Sequence, residues 1–139
     1  MILFLDVETR EEAIDALVNC FDATGRLPSK EAFRAAVFYR EKLVSTGIGV
    51  GVAIPHAKIK SCTQFSIAIG IQRQKGIEWE SIDLSPVRLI FLIGGPEDRQ
   101  SDYLQLLSQL TSAVKNIEVR KALLKATHVD QVLELFSGY

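Results

Sequence analysis

The sequence predicts an α/β fold, a small mixed β-sheet flanked by helices on both faces. Three observations carry that prediction. The run Leu89-Ile90-Phe91-Leu92-Ile93 is apolar at every position, so the strand it forms must be buried on both sides and covered by helices. Phe65, Ile67, Ile69 and Ile71 alternate with smaller residues, which is the two-residue period of a strand. Ile14, Leu17, Val18 and Phe21 recur at the spacing of one helical face. The 139 residues hold no repeat, low-complexity stretch or linker, so one domain spanning residues 1–139 is expected.

The elements follow in order. Ile2 to Leu5 is a short apolar strand. Thr9 and Glu12 make a capping box for the helix carrying Ile14 to Phe21, and Gly25 can close that helix in a left-handed conformation. Ser29 caps a second helix that runs to about Leu43, with Phe33, Ala36 and Val37 inward and Arg40 near its end. Three glycines between Ser45 and Gly51 make that stretch a poor helix. Val50 to Ile54 is a short strand or extended segment that Pro55 stops, and Gly76 to Asp83 is a turn and a loop or short strand around Trp79. Gly94-Gly95-Pro96 ends the apolar strand. Ser101 opens a helix with Leu104, Leu107 and Thr111 on one stripe and Leu106, Leu110 and Val114 beside it. Val119 to Leu124 and Val129 to Phe136 are two further short helices, the second entered through a capping box from Thr127 to Asp130.

Several function classes lose their support in the bulk properties. Hydrophobic residues make up 47% and charged residues 24%, a globular balance. The net charge of −1 and the lack of a Lys/Arg cluster argue against a nucleic-acid partner. No apolar run approaches the ~18 residues of a membrane span, and no basic-then-apolar leader opens the chain. Cys20 and Cys62 are too few and too far apart for a disulfide framework or a zinc site, which fits a reducing cytoplasm. No Cys/His cluster has metal-ligand spacing and no Gly-x-Ser-x-Gly elbow is present, so neither a metal nor another cofactor is expected. The Gly47-Ile48-Gly49-Val50-Gly51 run is not a dinucleotide fingerprint, because a helix precedes it and a strand follows, the reverse of the required order.

Two histidines remain. His128 follows Thr127 at a helix start and reads as solvated. His56 follows Pro55, which fixes the backbone and removes a donor, at the end of an apolar and glycine-rich run. A histidine held at such a strand end can expose one ring nitrogen while a neighbour orders the other, and a neutral imidazole nitrogen is a competent nucleophile. Arg40 lies sixteen residues earlier, where it can be either a solvated helix-end residue or a fixed set of donors to phosphoryl oxygens. Ser45 and Thr46 can be hydroxyl donors to the same group or plain turn residues.

The segment from Arg40 to His56, Arg-Glu-Lys-Leu-Val-Ser-Thr-Gly-Ile-Gly-Val-Gly-Val-Ala-Ile-Pro-His, resembles the active-site signature of type-2 enzyme IIA domains of the bacterial phosphotransferase system. Weaker resemblance extends over the whole chain, through Trp79, Gly95-Pro96, the helix from Ser101 and Asp130 to Leu135. The resemblance implies the mannitol-type enzyme IIA fold and a free-standing domain without an attached permease. It implies that His56 accepts a phosphoryl group from HPr or a nitrogen-branch HPr-like protein and that Arg40 helps to hold the phosphate. The phosphoryl group then passes to a IIB domain, or its presence is read by a regulatory partner. Neither nucleic acid nor membrane insertion is implied. One departure stands out: Tyr103 occupies the position where the family commonly has a second histidine, and a tyrosine can donate one hydrogen bond but stays neutral near pH 7. The wording of the signature points first to a regulatory, nitrogen-type IIA protein, then to a sugar-transport component serving a separate IIB protein, then to a binding module that carries no phosphate. Val50, Ile54 and Ala57 are expected around His56, as an apolar docking patch or as plain core.

Overall fold

The computed structural model describes residues 2–25, 27–59 and 64–135. Among the described residues are six strands and five helices. Cys62 and Phe136, named above, lie outside them. The chain forms two compact units, Met1–Asp98 and Arg99–Tyr139.

The first unit contains the sheet. Strand β1 (Ile2–Phe4) leads to helix α1 (Arg10–Ala23). Thr9 caps α1 by accepting from the Glu12 amide at 3.2 Å. The Glu12 carboxylate accepts from the Thr9 hydroxyl at 2.8 Å rather than from its backbone, so the box closes side chain to side chain. Ile14, Leu17, Val18 and Phe21 are fully buried, and Gly25 ends the helix at φ +74°. Helix α2 (Lys30–Leu43) starts where Ser29 accepts from the Ala32 amide at 3.2 Å. Phe33 and Val37 are buried, and Phe33 meets Phe21 of α1 with ring centroids 5.3 Å apart.

The stretch after α2 holds more strand than its glycines suggest. Strands β2 (Gly47–Gly49) and β3 (Val52–Ala53) form an antiparallel hairpin. Its turn passes through Gly49, Val50 and Gly51 at φ +92°, +53° and +78°. A left-handed conformation is costly for a β-branched residue such as Val50, and the Asp83 carboxylate holds it there by accepting from the Val50 amide at 2.9 Å.

Pro55 interrupts the next strand rather than stopping it. Val52 and Ala53 pair in parallel with Leu89 and Ile90, and β4 (His56–Ile59) pairs in parallel with Ile93 to Pro96. The register is continuous across the gap. Pro55 has no N–H, so a donor to the ladder is lost, but its carbonyl still accepts from the Ile93 amide at 3.0 Å. Strand β6 (Leu89–Pro96) consequently runs through Gly94 and Gly95, which were expected to end it. Glycine fits at 94 without displacing its neighbours, whereas a Cβ there would lie 2.6 Å from the Ile59 Cδ1 and 3.2 Å from the Phe33 ring.

Strand β5 (Ser66–Ile71) pairs antiparallel with β6 and in parallel with β1, giving the order β1-β5-β6-β3-β2 with β4 also on β6. One sheet face, with Ala53, Ala68, Ile90 and Leu92, packs with the buried sides of α1 and α2 in a single core that includes Trp79. The small residues of β5 face this core, whereas Ile67 and Ile69 on the other face are only half-buried.

The second unit holds α3 (Gln100–Lys115), α4 (Ile117–Lys125) and α5 (Val129–Leu135). Helix α3 begins at Gln100 without a side-chain cap. It buries Leu110, Ala113 and Val114 while Leu104 is 56% exposed, so the second of the two expected stripes is the inner one. Asn116 caps α4 through the Glu118 amide at 2.9 Å. At the start of α5 the capping acceptor is Gln131, not Asp130. Its Oε1 accepts from the amides of Thr127 and His128 at 2.8 and 3.2 Å.

Candidate functional site

His56 opens β4 immediately after the Pro55 break. Ala57 and Ile59 contribute to the core beneath α1 and α2, so strand alternation turns His56 the other way. Its ring folds back on its own chain, with Nδ1 3.0 Å from the Ile54 carbonyl oxygen. A carbonyl oxygen only accepts, so Nδ1 carries the proton and Nε2 carries the lone pair. Burial holds the His56 pKa below its ordinary value. The Ile54 bond opposes that shift in part, the charge of Arg40 adds to it, and the charge of Glu41 opposes it. The outcome is a neutral, half-buried imidazole with a defined tautomer.

Arg40 sits in the last turn of α2. Its Nη1 donates to the Val44 carbonyl at 2.7 Å, which fixes the guanidinium at the helix end. Its charge acts on His56, so the structure brings these two residues into one electrostatic neighbourhood. An imidazole lone pair in the field of an anchored guanidinium suits attack on an electrophile that carries negative charge. Tyr103 lies half-buried in the first turn of α3, in the second unit. His128 is exposed.

The Ser45 and Thr46 hydroxyls are donors, each to an acceptor inside the protein. The Ser45 hydroxyl donates to the Trp79 carbonyl at 2.7 Å. The Thr46 hydroxyl donates inward to the Glu41 carboxylate at 2.5 Å. Among the three residues expected around His56, Val50 is 48% exposed, Ile54 is core at 4%, and Ala57 packs against the core. Exposed apolar side chains instead stand beside Arg40, at Leu43 and Val44.

Sequence reasoning missed Glu41. It is 5% exposed, next to Arg40, and accepts from the Thr46 amide at 2.9 Å and the Trp79 indole N–H at 2.7 Å. The signal was present: Phe33, Val37 and Glu41 recur every fourth residue, which puts a carboxylate on the apolar stripe of α2. Among the described residues no group of three or more His, Cys, Asp or Glu could hold a metal ion.

Known proteins resemble this chain over nearly its whole length. Residues 1–139 match the family described as "Phosphoenolpyruvate-dependent sugar phosphotransferase system, EIIA 2". The fructose-specific EIIABC component of Bacillus subtilis is 36% identical over 99% of this chain, which spans only 21% of that protein. The fructose-specific EIIA component of Haloferax volcanii is 32% identical over 93% of this chain and 83% of its own length. The crystal structure of the nitrogen regulatory protein IIA-Ntr from Neisseria meningitidis superposes with a TM-score of 0.89 at 27% identity, covering 96% of this chain and 90% of that one. The mannitol enzyme IIA of Escherichia coli, solved in complex with phosphorylated enzyme IIB, gives 0.82 at 25% identity, covering 99% and 94%. The fold is thus the mixed α/β fold of mannitol and nitrogen-regulatory IIA proteins, and no described helix is long and apolar enough to cross a membrane. The chain belongs to the EIIA 2 family of the phosphoenolpyruvate-dependent sugar phosphotransferase system.

Proposed function

We propose that this chain is a phosphocarrier that takes a phosphoryl group onto Nε2 of His56. The observation that carries the reading is the Nδ1 bond to the Ile54 carbonyl, which puts the ring proton on Nδ1 and the nucleophilic lone pair on Nε2. The donor is a phosphohistidine of HPr or an HPr-like protein. Nε2 attacks phosphorus, the donor P–N bond breaks, and the electron pair returns to the donor imidazole. His56 becomes a phosphoimidazolium, with phosphorus on Nε2, the proton still on Nδ1 and one positive charge on the ring. Such a transfer asks for positioning and charge stabilisation. Arg40, with one N–H on Val44, offers its remaining donors to the phosphoryl oxygens. Donor and acceptor are histidines of similar energy, so neither metal nor nucleotide takes part.

The acceptor is a IIB protein, a reading supported by the E. coli mannitol IIA complex with phosphorylated IIB and by the fructose-specific relatives. Regulatory use is a second reading, favoured by the likeness to IIA-Ntr. Residues 1–139 act as one IIA domain in the cytoplasm. Tyr103 stands at the family's second-histidine position by resemblance, so Tyr103→His should speed phosphoryl uptake; an unchanged rate removes that position from the site.

The test is intact-protein mass after incubation with phosphoenolpyruvate, enzyme I and HPr, beside His56→Ala. An acid-labile gain of one phosphoryl group that the variant lacks is expected. No gain with several HPr-type donors would overturn the carrier reading.

A further inference from the structure

A carboxylate in a protein core is costly unless its oxygens are satisfied. Glu41 has donors on both. Its Oε1 accepts from the Thr46 amide at 2.9 Å and the Trp79 indole at 2.7 Å, and its Oε2 accepts from the Thr46 hydroxyl. Thr46 and Trp79 are themselves 5% and 0% exposed. The chain of contacts goes further. The Thr46 carbonyl accepts from the Ile54 amide at 3.0 Å. The Ile54 carbonyl accepts from His56 Nδ1 at 3.0 Å. Glu41 is thus linked to the histidine ring by an unbroken series, Glu41 to Thr46 to Ile54 to His56.

We propose that Glu41 is a positioning residue for the phosphoryl acceptor: by clamping Thr46 it fixes the Ile54 carbonyl, and that carbonyl chooses the tautomer and angle of His56. Adjacent residues of α2 then divide the work. Arg40 addresses the incoming phosphate, and Glu41 holds the backbone that aims the nucleophile. A glutamine there could accept the backbone and indole donors, but its amide nitrogen would meet the Thr46 hydroxyl as a donor and carry no charge, so a clamp that accepts on both sides requires a carboxylate. The proposal rests on His56 as the phosphoryl acceptor, but its first readout does not.

The test uses the full chain with ring-labelled histidine. Long-range ¹H–¹⁵N spectra read the His56 tautomer in unphosphorylated protein, and phosphoryl uptake from phosphorylated HPr reads the consequence. Wild type should show the Nδ1–H tautomer. Glu41→Gln should keep the helical circular dichroism signal yet mix the tautomers and slow uptake by roughly ten- to hundred-fold, the size of effect a misplaced reacting group has. Thr46→Val should shift the tautomer in the same direction, and Thr46→Ser, which keeps the hydroxyl, should restore the wild-type spectrum. A folded Glu41→Gln with wild-type tautomer and uptake would overturn the proposal, as would an Nε2–H tautomer in wild type. If Glu41→Gln does not fold, the Thr46→Val and Thr46→Ser pair decides. A wild type that takes no phosphoryl group but loses its Nδ1–H tautomer in Glu41→Gln supports the positioning role and counts only against the carrier reading.

Discussion

Replacing Trp79 with phenylalanine tests the buried network under the site in a way that can be sized beforehand. Trp79 is fully buried and its N–H donates to Glu41 at 2.7 Å, with the Thr46 hydroxyl oxygen also within 3.3 Å. A hydrogen bond to a charged group contributes about 1.5–3 kcal/mol, and its loss here leaves a carboxylate oxygen with one donor fewer in the core. The smaller ring also leaves a void of about 40 Å³, which costs about 1 kcal/mol. Together these come to about 2.5–4 kcal/mol, a large share of the ~5–15 kcal/mol that holds a domain folded. For a chain of this length the melting midpoint should fall by about 10 °C. Urea unfolding followed by far-ultraviolet circular dichroism is the assay, since Trp79 is the single tryptophan and the variant has no tryptophan fluorescence. Ile77→Val is the reference, fully buried and without a polar contact to lose, at about 1 kcal/mol. If Trp79→Phe costs no more than Ile77→Val, the indole bond to Glu41 contributes nothing and the account of the network is wrong.

Phosphoryl uptake needs neutral His56, whose pKa burial holds below the ordinary 6.5, so the rate should stay level from pH 8 to below 6.5; a rate already falling above 6.5 contradicts the burial argument. Because the unfolded chain binds that proton first, the stability His56 contributes is complete above 6.5 and is lost as the pH falls towards its folded value, a slope that His56→Ala should flatten in urea titrations. Asp83 is held down to about 2 by the Ser85 hydroxyl and by the Val50 and Ser85 amides, so its grip on the hairpin turn is full above the ordinary 3.8 and weakens towards 2. Asp83→Asn should accelerate amide exchange at Val50, and unchanged exchange would mean that the turn holds itself. Gly94→Ala should cost about 1–3 kcal/mol by overpacking against Ile59, Phe33 and Phe21, read from the urea midpoint; an unchanged midpoint would mean that Ile59 has room to move.

What the sequence disclosed follows the strength of each local signal. Helix α2 could be placed to the residue because Ser29 supplies a cap and the apolar spacing is regular. The central strand β6 was legible because every residue of its apolar run is buried. Strands β2 and β4 were not, because three or four residues interleaved with glycine or following proline show no period, and their pairing with β3 and β6 is decided by tertiary packing. The same division holds at the candidate site. The Pro55-His56 context singled out the histidine, yet the partner of Nδ1 is a backbone carbonyl two residues back, which no side-chain pattern encodes. Glu41 escaped because a helical glutamate is ordinarily solvated, and only its place on the stripe of Phe33 and Val37 hints otherwise. Ser45 and Thr46 offered two readings, and only the structure shows their hydroxyls turned inward, to the Trp79 carbonyl and to the Glu41 carboxylate.

The lengths of the outer strands have a bearing on self-association. Strands β1 and β2, at the two ends of the sheet order, have three residues each, and β4, the remaining partner of β6, has four. An exposed strand edge is a row of unpaired amides and carbonyls on which a second molecule can extend the ladder, and its hazard grows with its length. Here eight-residue β6 lies between partners on both sides, so the longest and most apolar strand offers no such row. The most exposed large apolar side chains, Ile82 and Leu84, stand on a loop outside every strand, where a neighbour can touch them without starting a fibre.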